Sequence, residues 1–275
     1  MRRIGLLDPI LKLGLVINAI FVVLPSLFMI NSSMRNTNDI FAAPVGLAKS
    51  FNMENYKLVL GQGNFGRYLF NSFIITFCSE VIILLFGACA GYALARYNFK
   101  YNGAIYLVFL SGLLIPAKLA LVPLFIQLKN MGLLDSRLGL ILVYSAGALP
   151  AAVFIFTSFI RALPQDLDNA ARIDGASELQ VFRRIMLPLI FPVMSIVGIY
   201  TAIPIWNDFL LPLVFIRNTS KMTIMQGISV FFGEYANNWG ALFAGLTLAA
   251  LPLVILYVIL SGQFIKGLTA GATKG

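Results

Sequence analysis

Charged residues are scarce in this chain of 275 residues, because Asp, Glu, Lys and Arg together make up only 11% of it. Soluble globular domains contain about 25% charged residues, which cover their surfaces. Hydrophobic residues account for 59% of the chain. This composition excludes an ordinary soluble domain and predicts a membrane protein. At about 20 apolar residues for each helical crossing, plus loops, the length accommodates roughly six to eight spans.

Histidine is absent from the sequence, and cysteine occurs only twice, at Cys78 and Cys89. Without histidine there is no histidine metal site, no Ser-His or Cys-His catalytic pair and no haem held by a proximal histidine. The two cysteines lie in one hydrophobic segment, separated by about 16 Å along a helix, which is beyond disulfide reach. We therefore predict no catalytic residue, no bound metal and no disulfide in this chain.

Acidic residues are outnumbered by basic residues, 11 to 20, which gives a net charge of +9. The basic residues are spread along the chain without a block or interleaved aromatics, so nucleic acid is not an expected partner. Lys and Arg favour the cytoplasmic loops of membrane proteins. Arg96 and Lys100 directly follow the second hydrophobic segment, whereas the basic residues of the alternate loops are diluted over long stretches. We predict that both termini lie in the cytoplasm.

Six stretches that are almost free of charge predict six transmembrane helices. They are Leu13–Met34, Leu69–Ala95, Ala104–Leu128, Leu138–Ile160, Ile185–Trp206 and Ala241–Phe264. Each is long enough to cross a hydrocarbon core about 30 Å thick. The predicted organisation is an N-terminal helix with an outer loop (residues 1–66), a transmembrane core (residues 67–265) and a cytoplasmic tail (residues 266–275).

Residues 163–188, between the fourth and fifth predicted spans, have the pattern of two short helices joined by a turn. Pro164 suits the first position of the first helix. Gly175 predicts the turn, because a helix often ends in a left-handed residue that glycine adopts readily. Ser177, with a glutamine three residues later, predicts a capping box that begins the second helix. Pro188 is expected to follow the end of that helix.

Each helix of this predicted hairpin carries an apolar face. These faces contain Leu167, Ala170, Ala171 and Asp174 on the first helix, and Leu179, Phe182 and Ile185 or Met186 on the second. Two interpretations remain open from the pattern alone. The hairpin either lies on the membrane surface or docks a soluble partner.

Residues 169–177, Asn-Ala-Ala-Arg-Ile-Asp-Gly-Ala-Ser, and residues 185–188, Ile-Met-Leu-Pro, resemble the EAA loop of ATP-binding-cassette importer permeases. Other matches point to the carbohydrate-uptake branch of these permeases. They are Asn-Ser at 71–72, Tyr-Ala-Leu-Ala-Arg at 92–96, Trp-Asn-Asp-Phe at 206–209 and Gly-Leu-Thr-Ala-Gly-Ala-Thr-Lys-Gly at 267–275. The resemblance extends from about residue 55 to the last residue. The chain is most similar to the smaller, maltose-type permease subunit.

The resemblance implies an all-α fold of the type I importer permeases and a bacterial cytoplasmic (inner) membrane location. It also implies three kinds of protein partner: a second permease subunit, two cytoplasmic ATPase subunits and an extracytoplasmic solute-binding protein. ATP and Mg would bind to the ATPase subunits, and this chain would bind no cofactor. The EAA loop would form the coupling helix of a cytoplasmic loop over residues 163–188. The coupling residues that it implies are Asn169, Ala170, Ala171, Asp174, Gly175, Phe182 and Pro188.

One position departs from the family pattern. The usual glutamate of the EAA loop corresponds to Asn169, which cannot make a charge-assisted contact with a basic group of an ATPase. Asp168 is adjacent, but its side chain is rotated by about 100° around a helix. The sequence leaves open which residue replaces the glutamate.

Three polar residues are candidates for the substrate path. Glu80 is the one acidic residue well inside a predicted span, where an ionised group is costly unless it faces protein or water. It would accept hydrogen bonds from sugar hydroxyls, or else it bonds to a neighbouring helix. Asn207 and Asp208, at the outer end of the fifth predicted span, would pass substrate, or else they cap a helix end.

Residues 61–66 satisfy the glycine pattern GxGxxG, but no strand precedes them, so we interpret them as a flexible turn. No phosphate loop is complete in the sequence, so another chain must hydrolyse any ATP. The sequence predicts a permease that moves a carbohydrate, polyol or sugar derivative inward by alternating access. The alternative is a secondary carrier or channel that works without nucleotide. The identity of the substrate is not encoded in any recognisable pattern.

Overall fold

The computed structural model describes residues 7–49, 53–61, 64–115, 117–234 and 237–272, and these residues form helices without a strand. The α-helices are α1 (Leu7–Ser33), α2 (Thr37–Ala42), α3 (Glu54–Gly61), α4 (Phe65–Arg96), α5 (Asn102–Leu114), α6 (Leu121–Asn130), α7 (Arg137–Ala162), α8 (Asp166–Ile173), α9 (Glu178–Val181), α10 (Leu187–Asn207), α11 (Leu210–Phe215), α12 (Ile224–Glu234) and α13 (Trp239–Ala272). Two 3₁₀ turns, Ala117–Ala120 and Thr219–Lys221, and one π-helical segment, Phe182–Met186, complete the helical elements.

Five helical stretches in the described part of the chain are long and apolar enough to cross a membrane. They are Leu11–Ser33, Phe65–Arg96, Arg137–Ala162, Glu178–Asn207 and Trp239–Gly262. They contain the first, second, fourth and fifth predicted spans almost completely, and most of the sixth. Prolines lie inside four of these helices, at positions 25, 150, 192, 204 and 252. Five of the six predicted spans therefore correspond to helices that are long and apolar enough to cross a membrane.

The third predicted span is not one continuous helix. Helix α5 ends at Leu114, and Ile115 is extended (φ −87°, ψ 114°). The residue before a proline is disfavoured in the helical region, and the next residue is Pro116. The chain then makes a 3₁₀ turn and resumes as α6, where Pro123 lies in the first turn and interrupts no helical hydrogen bond. The prediction of a continuous helix over Ala104–Leu128 is wrong.

The chain divides by its internal packing into two compact units, Met1–Gly66 with Gly227–Leu251, and Arg67–Gln226 with Pro252–Gly275. In the first unit, Asn55 is buried and its amide donates to the carbonyls of Ser33 (2.8 Å) and Arg35 (3.0 Å). The hydroxyls of Ser33 and Tyr56 are 2.6 Å apart. These contacts fix the end of α1 against α3.

The second unit contains the candidate functional residues. Helix α7 is its centre, because α5 and α10 both pack on it. Helix α4 also packs against α7, since a Cβ atom on Gly91 would lie only 2.6 Å from the Cβ of Phe156. A side chain at Gly87 would similarly meet Ala152, at 2.9 Å. Gly87 and Gly91, four positions apart, thus form a small-residue face on α4 that packs within the chain and lets the two backbones approach closely.

Candidate functional site

The hairpin between α7 and α10 (residues 163–188) is built from local signals in the sequence. Helix α8 begins at Asp166, so Pro164 precedes the helix and does not occupy its first position as predicted. Two carboxylates, at positions 166 and 168, lie in its first turn, where the helix dipole favours negative charge. The helix is amphipathic, and its C-terminal turn contains Arg172, which complements the opposite end of the dipole.

The turn of the hairpin has the geometry that the sequence predicts. Gly175 has φ +82°, and a Cβ atom there would meet no neighbour, so the requirement for glycine is purely conformational. The Gly175 N–H donates to the carbonyl of Arg172, and the Ala176 N–H donates to the carbonyl of Ala171, each at 3.0 Å. This pair of bonds is the Schellman motif, which satisfies carbonyls at the end of α8.

The second helix of the hairpin begins with the predicted capping box. The Ser177 hydroxyl accepts from the Gln180 N–H at 3.4 Å, and the Gln180 side-chain oxygen accepts from the Ser177 N–H at 2.8 Å. Two N–H groups that would lack partners at a helix start are thereby satisfied. The prediction of this cap is confirmed.

Pro188 does not end the second helix, which corrects the sequence-based expectation. Helix α9 continues through the π-helical segment into α10, and Pro188 lies in the first turn of α10. In the π-helical segment the Leu187 N–H donates to the carbonyl of Phe182, five residues earlier. A proline ring clashes with the carbonyl four residues before it, so a wider turn at this point accommodates Pro188 without breaking the helix. The hairpin is consequently continuous with a membrane-length helix.

The residues that α8 buries are not the ones predicted to form its apolar face. Asp168 and Ala171 are buried, whereas Ala170 and Asp174 are exposed. Ile173 is 86% exposed, although it is the most apolar residue of α8. Leu179, on the second helix of the hairpin, is also exposed, so each helix of the hairpin has an apolar side chain at its surface. Ile173 was not among the residues predicted from the sequence, although an apolar residue next to the turn of a charged hairpin is visible there.

Asp168 is held by a cation from a distant part of the chain. The Arg96 Nε lies 2.6 Å from the Asp168 Oδ2, and both side chains are almost completely buried, with 2% and 1% exposed. The guanidinium also donates to the carbonyls of Leu163 (3.2 Å) and Pro164 (3.5 Å). Asp168 therefore points toward α4 and away from the exposed face, so it does not replace the family glutamate on that face.

A second, exposed contact joins α4 to the hairpin. The Tyr97 hydroxyl donates to Glu178 Oε2 at 2.5 Å, and Arg172 donates to both oxygens of the same carboxylate at 2.8 and 3.1 Å. Burial and the hydrogen bond to Glu178 raise the pKa of the Tyr97 phenol above its ordinary value. The hydrogen bond to Glu178 raises the pKa of the Arg172 guanidinium. Near neutral pH the phenol stays neutral and the guanidinium stays charged.

The structure separates the predicted coupling residues into three groups. Asn169 and Ala170, with Asp174 and Gly175, lie on the exposed surface around the turn. Ala171 is buried with Asp168, and the Phe182 ring packs on Tyr92 of α4 at a centroid distance of 5.3 Å.

Pro188, the seventh predicted residue, lies in α10 beyond the π-helical segment. Asn169 itself accepts a hydrogen bond from Arg172 at 3.2 Å, so its amide is ordered at the surface.

Glu80 lies at a cavity of about 290 Å³ between α4, α10 and α13. Its Oε2 accepts from the Thr201 hydroxyl at 3.0 Å, whereas its Oε1 is buried without a hydrogen-bond partner. The walls are mainly apolar, and their aromatic rings are Phe73, Phe77, Phe191 and Trp206. The cavity thus presents one carboxylate among aromatic and aliphatic groups. The helix-to-helix bond and the cavity lining, which the sequence offered as alternatives, occur together at Glu80.

The other two candidates for the substrate path differ from Glu80. Asn207 is exposed at the last residue of α10. Asp208 accepts from the Tyr144 hydroxyl at 2.8 Å and from the N–H groups of Leu210 and Leu211 at 3.1 and 3.3 Å. These contacts are the ones expected if Asp208 caps α11. Neither residue lies among those that line the cavity at Glu80.

In the described ranges, no group of three or more His, Cys, Asp or Glu residues is arranged to hold a metal ion. Two other predicted features fall partly outside these ranges. Gln62 and Gly63 of the GxGxxG pattern are among the residues not described, and so are residues 273–275 of the predicted tail. The rest of that tail continues α13 as far as Ala272.

Residues 83–269 match a protein family described as binding-protein-dependent transport system inner membrane component. The diacetylchitobiose uptake system permease protein NgcG of Streptomyces coelicolor is 37% identical over 262 residues, which cover 94% of this chain and 87% of that protein. The melibiose/raffinose/stachyose import permease protein MelC of Bacillus subtilis is 31% identical over 253 residues, which cover 92% and 91% of the two chains.

Among solved structures, the chain resembles a bacterial ABC transporter involved in the import of the acidic polysaccharide alginate. The TM-score is 0.81 at 20% sequence identity, and the match covers 96% of this chain and 98% of the other. A structure of a bacterial alginate ABC transporter in complex with a pentasaccharide-bound periplasmic protein matches with a TM-score of 0.65 at 16% identity, over 93% of this chain and 92% of that chain. At these identities the likeness shows a shared fold.

Proposed function

This chain belongs to the family of binding-protein-dependent transport system inner membrane components, and we propose that it is the permease subunit of an ATP-driven carbohydrate importer. The observation that carries this function is the family match over residues 83–269, because that range contains both the hairpin and most of the cavity wall. The relatives named above are permeases for uptake of diacetylchitobiose and of melibiose, raffinose and stachyose. The transported substrate is therefore a carbohydrate or a close derivative.

The chain is a multi-pass protein of the cytoplasmic membrane, and its role is transport without catalysis of its own. We place the hairpin in the cytoplasm, with both termini on the same side. In that topology the interrupted segment α5–α6 provides the remaining crossing, giving six in total. Non-helical backbone at membrane depth is tolerated where it is buried in protein or lines a cavity. A second permease subunit would cover such a segment.

The hairpin is the proposed docking site for an ATPase subunit. Its exposed surface combines Ile173 and Leu179, which is 64% exposed, with the polar groups of Asn169 and Asp174. A soluble partner with a complementary cleft would bury these apolar groups, which is the usual source of affinity at an interface. ATP and Mg would bind to two such ATPase subunits, and closure of these subunits around nucleotide would displace the hairpin.

The cavity at Glu80 is the proposed part of the substrate path that this chain contributes. Aromatic rings pack against the apolar faces of sugars, and the unpaired Glu80 Oε1 can accept a hydroxyl hydrogen bond. A cavity of about 290 Å³ is small for an oligosaccharide. The second permease subunit would complete the path, and an extracytoplasmic solute-binding protein would deliver the sugar to it.

The experiment that tests this function begins with gentle detergent extraction of the tagged chain from its host. We expect a second hydrophobic subunit, an ATPase subunit and a solute-binding protein to purify with it. Reconstituted into vesicles, this complex should take up sugar only when ATP and the binding protein are supplied. Uptake by the chain alone, without nucleotide, would contradict the proposal and favour a secondary carrier.

A further inference from the structure

In the described part of the chain, the contacts between α4 and the hairpin are made by side chains of Tyr92, Arg96 and the adjacent Tyr97. The hairpin follows α7 and precedes α10 in the chain, so the backbone transmits its displacement directly to those two helices. Helix α4 ends at Arg96, about 70 residues before the hairpin begins. Helix α4 packs on α7 at Gly87 and Gly91, and its direct contacts with the hairpin are those of Arg96, Tyr97 and Tyr92.

The Arg96 contact is built as a rigid attachment. Its guanidinium pairs with Asp168 of α8 and donates to the carbonyls of Leu163 and Pro164, which lead into α8. The planar fork of an arginine fixes direction as well as distance. A buried ion pair contributes little net stability, but separating the two buried side chains would leave each charge without its partner, which is costly.

A second attachment reaches the other helix of the hairpin. Tyr97 donates to Glu178 at the start of α9, and the ring of Tyr92 packs on Phe182. Helices α8 and α9 are thus both tied to the last turn of α4 and the residue that follows it. Two contacts at separate points resist rotation of the hairpin relative to α4, which a single contact would permit.

Helix α4 also lacks the internal prolines that the other long helices of this unit contain. No proline lies within its 32 residues, whereas α7 contains Pro150, α13 contains Pro252, and α10 contains Pro192 and Pro204. The route from the hairpin along α10 also crosses the π-helical segment. Prolines and π-helical turns are the usual positions of helix bending, so displacement is conserved best along α4.

Helix α4 leads from its contacts with the hairpin to the cavity at Glu80. Glu80 lies on α4, 16 positions before Arg96, which corresponds to about 24 Å along the helix axis. Its carboxylate bonds to Thr201 of α10 and lines the cavity. Displacement of α4 relative to α10 would therefore change the position of Glu80 and its bond to Thr201.

From these observations we propose that Arg96 and Asp168 are positioning residues that make α4 move with the hairpin and so transmit ATPase closure to the wall of the sugar path. This inference rests on the proposed function. It adds a specific route, from the hairpin through the Arg96–Asp168 ion pair and α4 to Glu80, that is separate from the backbone connections to α7 and α10. Asp168 acts through Arg96 and touches neither sugar nor nucleotide.

The test uses the complete complex in vesicles and measures sugar taken up for each ATP hydrolysed. D168N should retain ATPase binding while uptake per ATP falls by about tenfold, because the buried guanidinium loses its charged partner. D166N is the matched control, since Asp166 is exposed two residues earlier on the same helix. It should leave uptake per ATP unchanged. The double exchange R96D with D168R should restore part of the ratio relative to either single variant.

R96K provides a second test in case D168N does not assemble. It keeps the charge next to Asp168 but cannot reproduce the fork to the two carbonyls, so an intermediate uptake per ATP is expected. An assembled D168N or R96K complex with the wild-type ratio would overturn the inference. The inference would also be overturned if total uptake fell only in proportion to the amount of assembled complex, while the uptake per ATP hydrolysed stayed the same. If the unmodified complex shows no ATP-dependent uptake, the proposed function itself has failed.

Discussion

The hairpin and the cavity at Glu80 each contain a carboxylate in a mostly buried position, but the surroundings of the two carboxylates differ. Asp168 has a buried arginine at 2.6 Å, so its charge is compensated within the chain. Glu80 forms no ion pair within the described ranges, and one of its oxygens has no hydrogen-bond partner. Both oxygens of Asp168 also lack a hydrogen-bond partner, so the two carboxylates differ in whether a cation lies beside them. The proposed function assigns Asp168, whose charge is compensated, to the structure of the hairpin and Glu80 to the sugar path.

The same contrast holds for apolar groups. The cavity groups four aromatic rings on one concave surface, and three of them, Phe73, Phe77 and Phe191, are about half exposed, while the hairpin places Ile173 outward at 86% exposure. A concave apolar surface suits a small ligand, and the proposed docking of an ATPase subunit would cover Ile173. The two regions are therefore expected to fail in different ways when they are altered.

The largest effect is expected from Gly175→Pro at the turn of the hairpin. Proline fixes φ near −65°, whereas Gly175 has φ +82°, and the N–H that bonds to Arg172 would be lost. We expect ATP-dependent uptake to fall by more than about tenfold while membrane insertion is retained, since the strain is local. Gly175→Asn, which tolerates positive φ, is the matched control and should keep most of the activity. Unchanged uptake in the proline variant would refute the placement of the coupling loop.

A large effect is also expected from Ile173→Asp on the exposed face of α8. The carboxylate would have to lose its water when a partner covers this surface, so ATPase binding should weaken by about tenfold or more. Titration of purified ATPase onto the permease complex in detergent measures this change. Ile173→Leu keeps the apolar contact and should bind as the original does. If the aspartate variant binds equally well, the partner docks elsewhere.

A smaller effect, confined to the sugar, is expected from Glu80→Gln. The amide keeps one acceptor oxygen but loses the charge, so the sugar concentration for half-maximal uptake should rise by about threefold to tenfold. ATPase binding at the hairpin should not change. Thr201→Val removes the hydroxyl that contacts Glu80 and the Val197 carbonyl of its own helix, and it serves as the comparison. An identical response of the two variants would mean that Glu80 only links α4 to α10.

The smallest effect concerns a third carboxylate, Asp135, which is outside both regions. The N–H groups of Asn218 and Arg217, together with Lys221, hold the pKa of Asp135 below its ordinary value. The folded chain therefore binds fewer protons than the unfolded chain. The resulting stability is present above the unfolded pKa of about 4 and is lost as the pH falls through the folded pKa.

Asp135→Asn should weaken this pH dependence slightly, because Asp135 is only partly buried and solvent screens its charge. Thermal unfolding of the detergent-solubilised chain between about pH 6 and pH 3 measures the effect. Asn tolerates the positive φ of 54° at this position, so the turn itself should be preserved. A variant with the same pH profile as the original chain would show that these contacts do not contribute to acid stability.

Local signals in the sequence were sufficient for the elements of the hairpin. The turn at Gly175 and the capping box at Ser177 depend on residues within five positions of each other, and both have the expected geometry. The interruption near Ile115 was also encoded locally, by the proline that follows it, but the continuous hydrophobicity of the segment concealed it. Pro188 was misjudged because a π-helical turn accommodates a proline that would otherwise end the helix.

Which side of α8 is buried could not be predicted from the local sequence. Periodicity placed Leu167, Ala170, Ala171 and Asp174 on one side, but it contains no information about which neighbour covers that side. The buried side is decided by Arg96, which arrives from α4 and attracts Asp168 inward. As a result Ala171 is buried, Ala170 is exposed, and Ile173 becomes the most exposed apolar residue of the helix.

By itself, the sequence determined that the chain is a helical membrane protein, where five of its apolar helices lie and how its hairpin turns. These properties follow from composition and from interactions within one or two helical turns. Only the tertiary structure decided that Asp168 forms a buried ion pair with Arg96 and that Glu80 lies at a cavity beside Thr201. It also decided that Asp208 accepts a hydrogen bond from the Tyr144 hydroxyl. Those pairings join residues more than 60 positions apart, and the packing of α4, α7 and α10 brings them within hydrogen-bond distance.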